Sequence, residues 1–301
     1  MNLNRILTTV IGLPIVIVIL VFGNIYLIDV LFAIIAAMSI HEYFDSFKGK
    51  TNPVSWLGFV ACGLIAFIHL IPKQYTIITI GILVPTSILI LFLQVIISNM
   101  KTNVQDIAVT FLGICYIPLF LMYLPLLIGS ENGKILIWFV IIAAWGTDIF
   151  AYIIGKKLGR HKFSKISPNK SIEGCIGGTL GAIIIALIYT FGINACLKMN
   201  INYLFITVIT LLLSVVGQLG DFSASSIKRY VGIKDFSNLL PGHGGMLDRI
   251  DSLIFIAPFA YFLLNLFFIF IFYFFLSIFS LKKNTNVRNP PSLPSPFPLF
   301  L

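Results

Sequence analysis

Apolar runs of about bilayer length alternate with short polar loops along most of this chain. A crossing helix needs about 20 mostly apolar residues. Nine segments meet or approach that length: 6–22, 25–40, 54–72, 76–98, 107–128, 135–154, 175–195, 203–220 and 252–280. The segment 25–40 is short and carries Asp29, and it pairs with 6–22 as a hairpin turning at Gly23-Asn24. The last run is long and Phe-rich, which predicts tilt or extension past the hydrocarbon. Beyond Leu281 the pattern stops, and the Pro- and Ser-rich tail 282–301 cannot continue a helix. The expected fold is therefore all-α, a polytopic integral membrane helical bundle of about nine transmembrane helices over 1–281.

Composition agrees with this pattern. The chain is 58% hydrophobic and 10% charged, and its mean hydropathy is +1.02. Soluble domains carry about 25% charged residues. The net charge of +9 does not point to nucleic acid, because Lys and Arg sit in short loops between apolar runs. Arg5 precedes an apolar run, as in a signal peptide, but no small-residue cleavage site follows Val21, so 6–22 reads as a retained span. Cys62, Cys115, Cys175 and Cys196 form no CxxC pair and read as small buried hydrophobes.

Orientation follows from the same charges. One set of loops holds Arg5, Lys48, Lys50, Lys101, the basic residues of 156–170, Lys228, Arg229, Lys234 and Arg249. The other holds Lys73, Lys134 and Lys198, with the tail a mild exception. The first set is expected in the cytoplasm, which places the protein in an inner or plasma membrane with its chemistry on the cytoplasmic side. Loops 155–174 and 221–251 are separated by two spans and so share that side.

The candidate chemistry is concentrated in 135–260, after N-terminal spans over 1–134. Asp148 lies inside the sixth span, Asp221 closes the eighth, and Asp248 and Asp251 open the ninth. Taken singly, each aspartate could pair with a nearby Lys or Arg to hold the bundle together. Asp221 and Asp248 taken together point to a divalent cation, because Mg²⁺ is commonly held by one or two carboxylates plus substrate phosphates. The run Ser167-Pro168-Asn169-Lys170-Ser171-Ile172-Glu173-Gly174 puts a turn, a Lys and hydroxyls at a helix start, a setting that suits phosphate. Gly174, Gly177, Gly178 and Gly181 read as close helix packing, with ligand contact as the alternative. Pro241-Gly242-His243-Gly244-Gly245 is a flexible turn whose amides could bind an anion. His41-Glu42 reads as an interfacial cap rather than a site.

The run from Ser225 to Asp251 resembles the signature of the phosphatidate cytidylyltransferase family, also called CDP-diacylglycerol synthases. The matching elements are Ser225, Lys228-Arg229, Lys234-Asp235, Pro241-Gly242-His243-Gly244-Gly245 and Asp248-Arg249-Ile250-Asp251. Upstream, Asp148 with Ala151-Tyr152, Ser167 to Ser171 with Glu173-Gly174, and Gly217-Gln218-Leu219-Gly220-Asp221 match as well. The resemblance implies transfer of CMP from CTP to phosphatidate, giving CDP-diacylglycerol and pyrophosphate. It implies Mg²⁺ on Asp221 and Asp248, with room for a second ion, and a catalytic set of Asp221, Asp248, Lys228 and Arg229. Substrate contacts are expected from Asp148, Lys170, Ser171, Glu173, Lys234, Asp235, His243, Gly244, Gly245, Arg249 and Asp251. Expected partners are CTP, phosphatidate and membrane lipid, with a homodimer admissible and no nucleic acid. Two alternatives stand beside this reading: a polytopic transporter, and a related CTP-dependent enzyme acting on another lipid. One-sided clustering of the charges and the lack of a repeat argue against the transporter.

Overall fold

The computed structural model describes the backbone over residues 3–164, 167–168, 170–239 and 244–283, and the side chains of these except at 3–11, 13 and 266–283. The tail 284–301, Pro241, Gly242, His243 and Asn169 lie outside the described residues.

Every predicted apolar segment contains helix. The order is α1 (Leu3–Phe22), α2 (Ile25–Ser46), α3 (Ser55–Ile65), α4 (Lys73–Ile97), α5 (Val104–Ile114), α6 (Tyr123–Ile128), α7 (Gly133–Ile141), α8 (Thr147–Leu158), α9 (Ile172–Leu197), α10 (Tyr203–Val231) and α11 (Leu247–Lys283). A π-helical turn, Cys115–Leu119, joins α5 towards α6, and another, Ile142–Gly146, joins α7 to α8. The first contains Pro118, which has no N–H to give the preceding turn, and a widened turn absorbs that loss. Among the described residues six runs are long and apolar enough to cross a bilayer: Ile25–Ser46, Lys73–Ile97, Val104–Ile128, Gly133–Leu158, Ile172–Leu197 and Tyr203–Val231.

Three boundaries differ from expectation. The segment 54–72 is not one helix, because α3 has 11 residues, about 17 Å at 1.5 Å per residue. A 3-10 turn, Ile68–Leu70, follows it and sets His69 Nδ1 2.8 Å from Asp29 Oδ1. That contact supplies a partner for the fully buried Asp29. Helix α10 runs eleven residues past Gly220, so Asp221 lies within a helix rather than at its end. Helix α11 starts at Leu247, so Asp248 and Asp251 sit in its first turns. Hydropathy registers only the apolar part of a helix, and both errors come from polar turns that continue a helix beyond its apolar stretch.

Helices α8, α9 and α10 form the part of the bundle that carries the site. A Cβ at Gly178 would lie 2.7 Å from the Thr147 carbonyl oxygen, and one at Gly174 would lie 2.8 Å from that of Ala151. These glycines let α9 press against α8, as small residues do between membrane helices. A polar seam ties in α10. The Thr147 and Ser214 hydroxyls are 2.7 Å apart, and those of Thr179 and Ser214 are 2.9 Å apart. Gln218 Nε2 donates to Thr179 Oγ1 at 2.9 Å and to the Cys175 carbonyl at 3.1 Å.

Candidate active site

The extension of α10 past Gly220 places Asp221 and Lys228 two helical turns apart on one face. Lys170, in the loop before α9, pairs through Nζ with Asp221 Oδ2 and sits 4.7 Å from the centre of the Phe222 ring. Ser225 Oγ is 3.4 Å from Asp221 Oδ1. One turn further on, Lys228 Nζ lies 2.6 Å from Asp248 Oδ1. Asp248 Oδ2 accepts the backbone N–H groups of Phe236 at 2.9 Å and Gly245 at 3.1 Å. Asp248 thus holds both ends of the loop between α10 and α11 while facing Lys228.

A residue from the N-terminal half completes this corner. Glu42 on α2 is 3% exposed. Its Oε1 accepts from Ser237 Oγ at 2.6 Å and Met246 N at 2.8 Å, and its Oε2 accepts from Leu247 N at 2.8 Å. The carboxylate therefore caps α11, where free N–H groups and the helix dipole favour negative charge. A Cβ at Gly245 would lie 2.5 Å from Glu42 Oε2, so a larger residue there would displace the capping carboxylate. The sequence places Glu42 at an interface as a cap. It does not reveal that the capped helix lies some 200 residues away.

Two further carboxylates face the Lys170–Asp221 pair. Asp148 is exposed and lies within electrostatic reach of Asp221, Lys170 and Arg249. No described donor or cation touches its oxygens. Asp251 is 8% exposed and neighbours Asp221, Asp148 and Lys228 electrostatically. Its Oδ1 accepts from Ser252 N at 2.8 Å, and no described donor reaches Oδ2. Tyr116, on the first π-helical turn, is within reach of Asp251, Asp221 and Asp248. Its hydroxyl is buried without a hydrogen-bond partner among the described residues. In the sequence Tyr116 is one aromatic in an apolar run, and the only available signal is a phenol at mid-span that needs a partner.

Other expected site residues take different positions. Ser171 caps α9, its Oγ accepting from Gly174 N at 3.1 Å. Glu173 accepts from the backbone of Arg160 at 3.2 Å and from His161 Nδ1 at 2.6 Å, so its carboxylate fastens the loop that leads to Lys170. Lys234, Asp235, Arg229 and Arg249 are exposed around the cleft. Gly244 takes φ +80° near Asp248 and Asp235, a conformation that suits glycine.

The three buried acids of the N-terminal half are engaged. Asp29 meets His69, Glu42 caps α11, and Asp106 takes part in a capping box with Asn103 while accepting from Asn52 N at 2.6 Å. Asp148 and one oxygen of Asp251 are not, among the described residues. Among the described residues no group of three or more His, Cys, Asp or Glu side chains could hold a metal ion unaided. The donor chemistry still fits a hard cation held partly by a ligand. Asp221 keeps lone pairs beyond those used by Lys170 and Ser225. Asp148, Asp251 and the Tyr116 hydroxyl lie within electrostatic reach of it.

Carboxylates paired with lysines among helices of membrane-spanning length suit a protein that handles phosphorylated substrates. The comparisons specify the class further. The profile of the Cytidylyltransferase family matches residues 3–267, and the chain belongs to that family. It is 34% identical to a phosphatidate cytidylyltransferase of Bacillus subtilis (strain 168) over 275 residues, covering 88% of this chain and 98% of the relative. It is 35% identical to one of Staphylococcus aureus (strain COL) over 260 residues, 84% of this chain and 95% of the relative. A relative from Staphylococcus saprophyticus is 38% identical over 170 residues, 56% of this chain and 63% of the relative.

Proposed function

We propose that this chain transfers the CMP moiety of CTP to phosphatidate, forming CDP-diacylglycerol and pyrophosphate for phospholipid synthesis. The observation that carries the reading is the pairing of Lys170 with Asp221 and Lys228 with Asp248 on one face of α10. Carboxylates can hold a cation and the lysines can hold phosphates, so both substrate requirements meet in one cleft.

The reaction balances without a general base. An oxygen of the phosphatidate phosphate, already anionic at neutral pH, attacks the α-phosphorus of CTP. A P–O bond forms there as the bond to the oxygen bridging the β-phosphorus breaks, and pyrophosphate leaves with the electron pair. The obstacle is the approach of two anions, so the task of the residues is positioning and charge neutralisation. Asp221 and Asp248 would hold Mg²⁺, which when bound would offset negative charge on the phosphates. Lys170 and Lys228 are close enough to those carboxylates to transfer their charge to phosphate oxygens when substrates bind. Glu173 and Ser171 keep the Lys170 loop in place, and Glu42 and Asp248 keep the loop between α10 and α11 in place. We read 135–260 as the catalytic part, supported from outside by Glu42. The Lys/Arg bias supports a cytoplasmic site, where CTP is dissolved.

The test uses purified protein in detergent with CTP, phosphatidate and Mg²⁺. CDP-diacylglycerol and pyrophosphate should form in equal amounts, and excess EDTA should stop both. Absence of product with any divalent cation overturns the reading, and full turnover in EDTA removes the metal from it.

A further inference from the structure

An apolar cavity reaches Arg249, the neighbour of Asp248. It has a volume of about 400 Å³ and runs between α1, α2 and α11, with Leu124 and Trp145 behind it. That volume is in the range of about 300–1,000 Å³ typical of small-molecule sites. Leu31, Ile34 and Met38 line it along α2, a climb of seven residues, or about 10 Å of helix. The cavity therefore runs along a helix axis, as a lipid chain does. Among its described wall residues Arg249 is the one charged side chain, and it adjoins Asp248. A smaller cavity of about 100 Å³ between α3, α4 and α5 has no charged residue in its described wall.

Resting on the function proposed above, we propose that this cavity seats an acyl chain of the lipid substrate and that Arg249 at its rim holds the lipid phosphate. The argument is charge complementarity joined to shape. The occupant must be a hydrocarbon chain ending in an anion. An exposed guanidinium offers a planar fork to two phosphate oxygens. Arg249 also lies within electrostatic reach of Asp148. The cavity adds little affinity, since a lipid tail gains nothing by leaving other tails for leucines. Its contribution is alignment, which presents the phosphate oxygen to the cleft from a fixed direction. Lysines 170 and 228 are then left for CTP.

Two variants and one label test this. Ile34→Trp narrows the cavity from a lipid-facing position that is 53% exposed. It should lower kcat/KM for dioleoyl phosphatidate about tenfold or more, leave dihexanoyl phosphatidate within about twofold, and leave the KM for CTP unchanged. Arg249→Gln should raise the KM for both lipids about tenfold and not that for CTP. In the wild type, a phosphatidate with a diazirine at its chain end should label α2 and α11 peptides. Equal losses on long and short chains, a CTP-selective defect in Arg249→Gln, or labelling at α3 and α4 would each overturn the assignment. A wild type that turns over neither lipid would instead sink the function itself, while labelling would still report the cavity.

Discussion

The carboxylate of Glu42 lies 2.8 Å from the backbone nitrogen of Leu247, and through this contact the second helix caps the last. Removing the carboxylate leaves Met246 N, Leu247 N and Ser237 Oγ without their acceptor. Glu42→Ala should cost about 3 kcal/mol of stability, read as a lower melting temperature in detergent, and should lose turnover with it. Glu42→Gln keeps one acceptor oxygen and should fall between the two. An unchanged melting temperature in Glu42→Ala would show that the cap carries no weight.

Asp221 and Asp248 have different duties, and their asparagine variants should separate them. Asp248 binds two backbone amides of the loop between α10 and α11, whereas Asp221 binds side chains. Both variants should lose about a hundredfold or more in turnover. Asp248→Asn should also open residues 232–246 to limited proteolysis, and Asp221→Asn should not. Equal protease patterns would remove the loop-holding role from Asp248.

Tyr116→Phe deletes a buried hydroxyl that has no described partner. If the hydroxyl only fills space, nothing measurable changes except a gain of up to about 1 kcal/mol, since an unpaired buried polar group is destabilising. The clustering of Asp221, Asp248 and Asp251 around it predicts more: turnover should fall about tenfold while the melting temperature holds or rises. Full turnover would make Tyr116 a packing residue.

The shared side of the two polar loops can be checked by thiol labelling. In a background without native cysteines, Ser164→Cys and Asn238→Cys should both be shielded from an impermeant reagent in whole cells and both react in inverted vesicles. Opposite labelling of the two would contradict the Lys170–Asp221 pair, which brings these loops together.

Much of this fold could be read from hydropathy because the bilayer demands long apolar helices and little else. All nine segments contain helix, and the glycines at 174 and 178 do pack α9 against α8. The end of α10 and the start of α11 differ from expectation for a common reason. Asp221, Lys228, Asp248 and Asp251 sit on helical turns that are polar, and polar turns look like loops when apolar length is the criterion. The π-helical turns carry no strong sequence mark apart from Pro118. Glu42 and Tyr116 were hidden differently. Each is an isolated polar residue on an apolar helix, and its significance depends on contacts far away in the chain.

The hydroxyl seam of Thr147, Thr179, Ser214 and Gln218 has a consequence for how the cleft keeps its shape. Greasy helices in lipid can rotate or slip against one another with little to stop them. Four hydrogen-bonding groups that must face each other act as a dowel and index three helices to one angle. Thr147 immediately precedes Asp148, and Gln218 lies one turn before Asp221. The aim of both carboxylates is thus inherited from the hydroxyl seam, and loss of the hydroxyl at Ser214 or Thr179 should blur the chemistry of the site without touching any residue proposed to meet a substrate.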